Sequence, residues 1–183
     1  MRPYESYPKA SIRYEPLYEH LPLLKHEDIR LLRLLPPTNE ESGISGELLH
    51  SNLEECPPYE ALSYTWGDRS RTHPIAINGG EFRITANLYS ALLHLRHSSS
   101  VRLLWVDAVC INMRDLEERN AQATLTVKKF HQAQQVVVWL GEAADGSDEA
   151  MDIIHDLSTT TGIISMNTVL QQTIIDLLRR PWF

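Results

Sequence analysis

Residues 59–68 read YEALSYTWGD, a stretch that begins like a buried strand and stops abruptly. Its first half has the apolar and aromatic side chains of a buried β-strand, which we predict over residues 59–65. Its second half, Trp66-Gly67-Asp68, brings an indole, a glycine and a carboxylate one after another where the strand ends. Such an exit is either an ordinary loop or one wall of a binding site.

Strands and helices alternate after this point. Residues 73–85 predict a β-hairpin, because Asn78-Gly79-Gly80 supplies the positive φ that a tight turn needs. The remaining predicted elements are, in order, a helix with Thr85 or Asn87 as its N-cap, a buried strand over 101–112, an amphipathic helix over 114–135, a buried strand over 136–141 and helices over about 148–158 and 167–179.

The helix over residues 114–135 is predicted to be continuous. The residues on its apolar face are Leu116, Ala123, Val127 and Phe130. Lys128 and Lys129 are expected to point away from that face.

Upstream of residue 59 we predict an arm, one strand and a second short element. Residues 1–28 are rich in Tyr, Pro, Glu and His without a clear period, which we interpret as a poorly ordered arm. Residues 29–35 predict a strand that Pro36-Pro37 ends, and residues 47–55 fit a short strand or a helical turn. The whole order indicates an α/β fold with a largely parallel central sheet flanked by helices, a β-hairpin insertion and an N-terminal strand.

Composition narrows the class of protein. The 183 residues suffice for one domain, and the formal net charge of -7 argues against nucleic acid as the main partner while allowing a small anionic ligand. No run of about 18 apolar residues occurs, so no membrane span is predicted. Two cysteines and a polar start predict a cytoplasmic setting. No Cys or His pair has metal-ligand spacing, so no metal is predicted.

Three strand exits are expected at one edge of the sheet, because helices return the chain between co-directional strands. The exits are Trp66-Gly67-Asp68, residues 107–110 and Gly141-Glu142. Ligands of open α/β sheets bind outside the carboxyl ends of the strands. We therefore predict a crevice with acidic groups and an indole wall at this edge.

Each candidate at this edge also has a structural interpretation. Asp68 is a residue type that begins a turn by bonding its own backbone, and Trp66 is equally suited to a packed core edge. Asp107 interrupts an apolar run, where an unpaired buried carboxylate costs several kcal/mol, so it needs a partner such as Arg119 or backbone N–H groups. Structural pairing and ligand contact are both open for Asp107.

Two further candidates favour structural roles. Glu118 lies in the first turn of the predicted helix, where a carboxylate suits the helix dipole. Cys110 belongs to a residue type that is more often an inert buried thiol than a nucleophile. The sequence shows neither a Ser-His-Asp arrangement nor a phosphate-binding glycine loop.

Five motifs, in this order and at these distances, carry a family resemblance. They are YEALSYTWGD, INGGEFRITANLYSALLHLR, LLWVDAVCIN, EERNAQ and VVVWLGE. With IRLLRLLPP upstream and RRPWF at the end, they resemble the heterokaryon incompatibility (HET) domain of filamentous fungi. The resemblance covers about residues 29–183.

The resemblance assigns individual residues of this sequence to positions of the family motifs. The positions that correspond to the family motifs are Tyr64, Trp66, Gly67, Asp68, Trp105, Asp107, Cys110, Ile111, Asn112, Glu118, Arg119, Gln122, Trp139, Leu140 and Gly141. The crevice candidates are Tyr64, Trp66, Gly67, Asp68, Asp107, Cys110, Asn112, Glu118, Arg119 and Glu142.

The family implies a function in non-self recognition and programmed cell death on cell fusion, as an effector or interaction module with protein partners or self-association. It also implies a distant relation to Toll/interleukin-1 receptor (TIR) domains, which have a flavodoxin-like architecture and some of which cleave the glycosidic bond of NAD. A second hypothesis is therefore an NAD glycohydrolase, in which Trp66 stacks on a ring and a carboxylate stabilises an oxocarbenium-like centre. A third is a marginally folded pseudo-domain.

The sequence departs from the family pattern at several positions. Met113 stands where Gln is usual, Ala123 and Thr126 stand where Val and Met are usual, and Lys129 replaces an apolar residue. Snorkelling is expected to accommodate Lys129. The family pattern continues past Phe183 with a Trp and a Gln-Glu pair. We therefore expect a truncated domain that lacks the TIR-type glutamate and does not turn over NAD.

Overall fold

The computed structural model describes residues 15–39, 42–144, 146–159 and 168–182. Its strands are β1 (Asp28–Leu34), β2 (Ser45–Asn52), β3 (Glu60–Tyr64), β4 (Thr72–Ile77), β5 (Gly80–Thr85), β6 (Arg102–Trp105) and β7 (Gln135–Trp139). Its helices are α1 (Glu15–Glu19), α2 (Ala86–Leu95), α3 (Asp107–Cys110), α4 (Leu116–Thr124), α5 (Thr126–Gln132), α6 (Ser147–Thr159) and α7 (Thr168–Leu178). The predicted α/β class is confirmed.

The strands form one mixed sheet in the order β5-β4-β2-β1-β6-β3-β7. β1 pairs antiparallel with β2 and β6, and β4 pairs antiparallel with β5. β3 pairs parallel with β6 and β7, and β2 pairs parallel with β4. The prediction of a largely parallel sheet is therefore wrong, since the longest pairings, β1–β2 and β4–β5, are antiparallel. The flavodoxin-like architecture stays a prediction.

The hairpin of β4 and β5 forms as predicted. Asn78 and Gly79 have φ values of 50° and 77°, the left-handed conformation that a tight turn needs and that these two residue types tolerate. α2 follows directly, and Thr85 is its N-cap because its Oγ1 accepts a hydrogen bond from the N–H of Leu88. Of the two predicted caps, Thr85 is the one observed.

The exits of β3, β6 and β7 meet at one edge, because β3 lies between the other two and runs parallel to both. The chain moves from β3 to β6 in one direction along the sheet, and from β6 past β3 to β7 in the other. With right-handed crossovers, α2 covers one face and α4 with α5 covers the other. The ring contacts agree with this arrangement: Trp105 meets Phe130 of α5, and Trp139 meets His94 of α2.

The core lies on both faces of the central strands. Leu31 and Leu32, adjacent residues of β1 that point to opposite faces, are both fully buried. α2 contributes Leu88, Ala91 and Leu92, which are also fully buried. Each large apolar side chain buried in this way contributes about 1.5–3 kcal/mol. This packing fixes the position of the strand exits.

Two predicted elements are interrupted. The strand predicted over 101–112 ends at Trp105, and the one-turn helix α3 follows within the same apolar run. The helix predicted over 114–135 is broken at Leu125 into α4 and α5. An apolar run signals burial but does not fix the backbone conformation, so neither interruption was visible in the pattern.

The side chains of α4 and α5 that face the core are not those predicted from the sequence. Leu116 and Val127 are 58% and 76% exposed, whereas Lys129 is fully buried. The predicted snorkelling of Lys129 is therefore wrong. Its Nζ donates a hydrogen bond to the carbonyl of Gln122 at 2.8 Å and lies 4.7 Å from the centroid of the Trp105 ring.

Residues 15–28, the described part of the predicted arm, pack against the domain. Tyr18 of α1 is buried, and its hydroxyl donates to the carbonyl of Val109 at 3.0 Å. Asp28 is also buried and accepts hydrogen bonds from the N–H groups of Leu24 and Lys25. These bonds attach the segment to β1 and α3, whereas residues 1–14 lie outside the described residues.

The final two helices, α6 and α7, follow the predicted order. Arg180, just after α7, donates to the carbonyls of Leu140, Glu142 and Ala144 and so ties the end of the chain to the exit of β7. None of the helices in the described ranges combines the length and the apolar character needed to cross a bilayer.

Candidate ligand crevice at the strand exits

A cavity of about 390 Å³ opens at the shared exit edge, between the ends of β3 and β6 and the helices α4 and α5. This volume is within the range of small-ligand pockets. The lining side chains used below are Tyr64, Trp66, Arg69, Trp105, Asp107 and Arg119. All of these except Arg69 and Trp105 are crevice candidates predicted from the sequence.

Trp66 and Asp107 form the wall of the cavity. The indole Nε1 of Trp66 donates a hydrogen bond to Oδ2 of Asp107 at 3.1 Å. Oδ1 of the same carboxylate accepts from the N–H of Ala108 at 2.7 Å, because Asp107 begins α3 and faces the free N–H groups of that turn. The partners of this carboxylate therefore include an indole and a backbone N–H.

The Asp107 carboxyl is shifted towards its neutral form. Burial raises its pKa above the usual value of 3.8, and the hydrogen bonds from Ala108, Trp66 and Tyr64 offset only part of that effect. A carboxyl with a raised pKa on a cavity wall is a functional-site candidate, because proton transfer and ligand binding both use such groups.

Trp105 forms the floor of the cavity. It is 2% exposed, and its ring meets the edge of Phe130 with centroids 5.4 Å apart. Lys129 lies against the Trp105 ring. Among the residues that the structure describes, no acceptor bonds the buried indole N–H of Trp105. Leaving such a donor unpaired costs about 1–3 kcal/mol.

Two guanidinium groups line the same cavity. The Arg69 guanidinium lies 4.3 Å from the centroid of the Trp66 ring, as expected for a cation stacked on an indole. Arg119 reaches the cavity from α4. The cavity therefore combines aromatic rings, one carboxylate and two cations in a chain whose net charge is negative.

The part of the chain that forms the crevice matches a known protein family. A family model described as heterokaryon incompatibility protein (HET) matches residues 59–183, from the stretch that contains β3 to the end of the chain. This chain belongs to the HET family. The match includes every residue of the crevice described above, and it confirms the family that the five sequence motifs indicated.

The chain is similar to part of a longer curated protein. Heterokaryon incompatibility protein 6, OR allele, of Neurospora crassa is 37% identical over 142 residues, which cover 70% of this chain and 21% of the relative. The chain thus spans about a fifth of the length of that relative. No solved structure is significantly similar to the chain.

The first HET motif divides between the cavity and its rim. Gly67 has a φ of 67°, and a Cβ there would lie 3.4 Å from the Cβ of Asn87, so the glycine serves the turn. Asp68 is exposed and accepts hydrogen bonds from the N–H and the hydroxyl of Ser70. These bonds lower the pKa of Asp68, whose side chain organises its own loop and is not among the lining side chains.

Glu142 lies at the same edge but contacts α2 instead of the cavity. Its carboxylate accepts a hydrogen bond from the hydroxyl of Ser90 and lies 3.5 Å from Nε2 of His94.

Asn87 joins the exits of β3 and β7: its Nδ2 donates to the carbonyl of Thr65 at 2.6 Å, and its Oδ1 accepts from Nε1 of Trp139 at 3.0 Å. The predicted row of acidic groups is thus split between two faces.

Glu118 and Asn112 belong to a buried brace of the HET domain. Arg30 of β1 is 1% exposed and forms a two-pronged ion pair with Glu118, with nitrogen–oxygen distances of 2.6 Å and 3.0 Å. Oε1 of Glu118 also accepts from the N–H of Asn112 at 2.6 Å. Arg30 itself donates to the carbonyls of Leu21 and Cys110. Neither Glu118 nor Asn112 lines the crevice.

Cys110, the last residue of α3, is buried, as its structural interpretation proposed. Burial raises the pKa of its thiol to about 12, so the thiolate needed for nucleophilic or metal chemistry is disfavoured. In the described part of the chain, no three His, Cys, Asp or Glu side chains are grouped in a way that could hold a metal ion.

Sequence reasoning missed three residues of the site. Arg69 follows the first motif directly, and a basic residue three positions after Trp66 was a usable signal. Trp105, two residues before Asp107, was assigned to a motif but not to the crevice. Lys129 gave no signal, because its burial depends on the helix break at Leu125.

Proposed function

We propose that this chain is an effector or interaction module in heterokaryon incompatibility. In this proposal, contact with a protein partner or a second copy leads to non-self recognition and programmed cell death on cell fusion. Membership of the HET family and the name of the Neurospora relative support the general role. The structural feature that best supports a contact is the outer edge of β7.

β7 is an edge strand with a surface suited to pairing. It pairs with β3 on one side, and no strand of the described ranges pairs with its other side. Val136 and Val138 are 44% and 42% exposed, and the strand sequence QVVVW contains no charge and no proline. An unguarded edge of β-branched residues is a template for another strand.

The opposite edge of the sheet has the features that discourage pairing. β5 carries Glu81 and Arg83, whose side chains form an ion pair at 3.4 Å. Charged side chains on an edge strand oppose the approach of a second strand, because pairing would desolvate them. The two edges therefore differ, and β7 is the edge at which we place the contact.

A charge on β7 tests this proposal. The double variant Val136→Lys/Val138→Lys places two cations on exposed positions, so we expect the fold to remain and the contact to be lost. The measurements are sedimentation of the purified chain at high concentration and cell survival after expression in a filamentous fungus. We expect the variant to sediment as a smaller species than the wild type and to cause no cell death on expression.

Val127→Lys is the matched control, because Val127 is a more exposed valine on a different element. It should sediment and kill like the wild type. A wild-type chain that stays monomeric at high concentration and causes no cell death would contradict the proposal.

A second candidate function is an NAD glycohydrolase. The observation that favours it is the Asp107 carboxyl beside the Trp66 ring in the cavity. Glycoside hydrolysis commonly uses two carboxyl groups, and Asp107 is the sole carboxyl group among the described lining residues. We therefore expect no release of nicotinamide when the purified chain is incubated with NAD. Release that Asp107→Ala abolishes would favour the enzyme over the effector.

A further inference from the structure

We propose that the crevice binds a compound in which a flat heteroaromatic ring is linked to an anionic group, of the nucleoside monophosphate class. This inference goes beyond the effector function, because it assigns a ligand to the cavity and requires no bond to be cleaved. It does not depend on a contact through β7.

The ring is recognised by Trp66. Arg69 already lies over this indole at 4.3 Å, and a guanidinium is a planar group that stacks as an aromatic ring does. Arg69 is exposed and on a loop, so it can leave the indole without disturbing the core. A heteroaromatic ring takes its place on the indole, and Arg69 becomes available to bind the anion.

The anionic group is recognised by the positive charge around the cavity. Arg69 and Arg119 line it, Lys129 lies beneath the Trp105 floor, and Asp107 is the single carboxylate among the described lining residues. This region is therefore locally positive in a chain of net charge -7. Guanidinium groups match phosphate oxygens in pairs, which favours a phosphate over a cationic ligand.

The floor of the cavity contains a hydrogen-bond donor that the described residues leave without an acceptor. Trp105 is almost fully buried, and its indole N–H has no acceptor among the described residues. A ring nitrogen or carbonyl oxygen of a nucleobase supplies one. Asp107 keeps acceptor capacity beyond its bonds to Trp66, Ala108 and Tyr64, since a carboxylate has about four lone-pair sites, so it can accept from an amino group or a sugar hydroxyl. A nucleoside monophosphate provides all of these groups in one molecule.

Calorimetric titration of the full chain tests the inference. The probes are the four common ribonucleoside monophosphates, the same nucleosides without phosphate, and inorganic phosphate alone. We expect at least one monophosphate to bind about tenfold more tightly than its nucleoside, since charge-assisted bonds supply the difference. Inorganic phosphate should bind more weakly than that monophosphate, because it has no ring to stack on Trp66.

Variants separate the two parts of the site. Arg69→Gln with Arg119→Gln should reduce the affinity for the monophosphate to that of the nucleoside, and Trp66→Ala should weaken both ligands. Trp66→Phe keeps a ring and should restore part of the binding, which guards against a folding defect in the alanine variant. Arg83→Gln, on β5, is the control and should leave every affinity unchanged.

The inference is overturned if no monophosphate binds, if nucleoside and monophosphate bind equally, or if the double arginine variant binds like the wild type. None of these binding results bears on whether cell death depends on β7. Failure of the ligand inference is therefore distinguishable from failure of the effector function.

Discussion

Burial of the Lys129 side chain lowers the stability of the fold. This side chain is fully buried, and its Nζ donates to one carbonyl and lies against one indole ring. Burial lowers the pKa of the Lys129 amine from 10.5 to about 8. Desolvating an ammonium is unfavourable, so an apolar residue of similar size would stabilise this position. That lysine occupies it agrees with the ligand function that we assign to the crevice above it.

Lys129→Met is predicted to raise the free energy of unfolding at pH 7 by about 1–3 kcal/mol. Between pH 8 and pH 10.5 the unfolded wild-type chain binds more protons at this lysine than the folded chain, so wild-type stability contains a term that rises with pH. The variant should lack that term. Urea denaturation of both proteins at pH 7, 8, 9 and 10 measures the difference.

Lys128→Met is the control for this prediction, since Lys128 is a neighbour on the same helix that is partly exposed and paired with Glu27. It should keep the wild-type dependence on pH. A difference between wild type and Lys129→Met that does not change over this range would show that Lys129 is not desolvated in the folded chain.

Single residues also show what the sequence could predict about the site. Trp66 and Asp107 were identified because each breaks a strand pattern with an unexpected chemical group. Asp68 and Glu142 broke the pattern in the same way, but they accept hydrogen bonds outside the cavity. The donor to Asp68 is Ser70, and the donor to Glu142 is Ser90. A sequence shows which groups reach the edge of a sheet, but not which way each side chain turns there.

Among the elements, the brace between β1 and α4 holds the cavity in place. Glu118 bonds both Arg30 and the N–H of Asn112, which follows α3. Asp107 is at the other end of α3, so the brace sets the position of the turn that presents this carboxylate. The local sequence suggested only a helix-dipole role for Glu118, because the partner Arg30 is 88 residues away.

Glu118→Gln is predicted to lower the free energy of unfolding by about 3–5 kcal/mol, because it leaves the Arg30 guanidinium buried without a counter-charge. Glu117→Gln removes an exposed carboxylate from the same helical turn and should change stability by less than about 0.5 kcal/mol. Urea denaturation at pH 7 compares the two. Equal losses in both variants would mean that the ion pair does not stabilise the fold.

Elements with a strong local signal were predicted well. The hairpin of β4 and β5 formed where Asn78-Gly79 demanded it, and α2 began at a predicted cap. The end of β6 at Trp105 and the break at Leu125 were missed. Both lie within apolar patterns of ordinary length, and such patterns show that side chains are buried but not where the backbone changes conformation.

For the whole molecule, the position of β1 could not be predicted. Its apolar run showed that it is buried, but the pairing with β2 on one side and β6 on the other joins distant parts of the chain. That insertion adds two antiparallel pairings to the sheet. It leaves β6, β3 and β7 as a parallel group whose exits meet at one edge.

The crevice follows from that parallel group. β3 delivers Trp66 and β6 delivers Asp107 to the same edge, and the crossover through α4 and α5 closes the cavity over them. The bond between the Trp66 indole and the Asp107 carboxylate therefore forms only if the exits of β3 and β6 meet at one edge.

Nuclear magnetic resonance of the indole N–H groups over a pH titration tests this bond most directly. The Trp66 indole resonance should shift as Asp107 titrates, with a midpoint above 3.8, and the shift should vanish in Asp107→Asn. The indole of Trp139, which bonds Asn87, should not follow that titration. A Trp66 resonance that does not change with pH while the chain stays folded, or that titrates equally in Asp107→Asn, would contradict the shared edge of the strand exits.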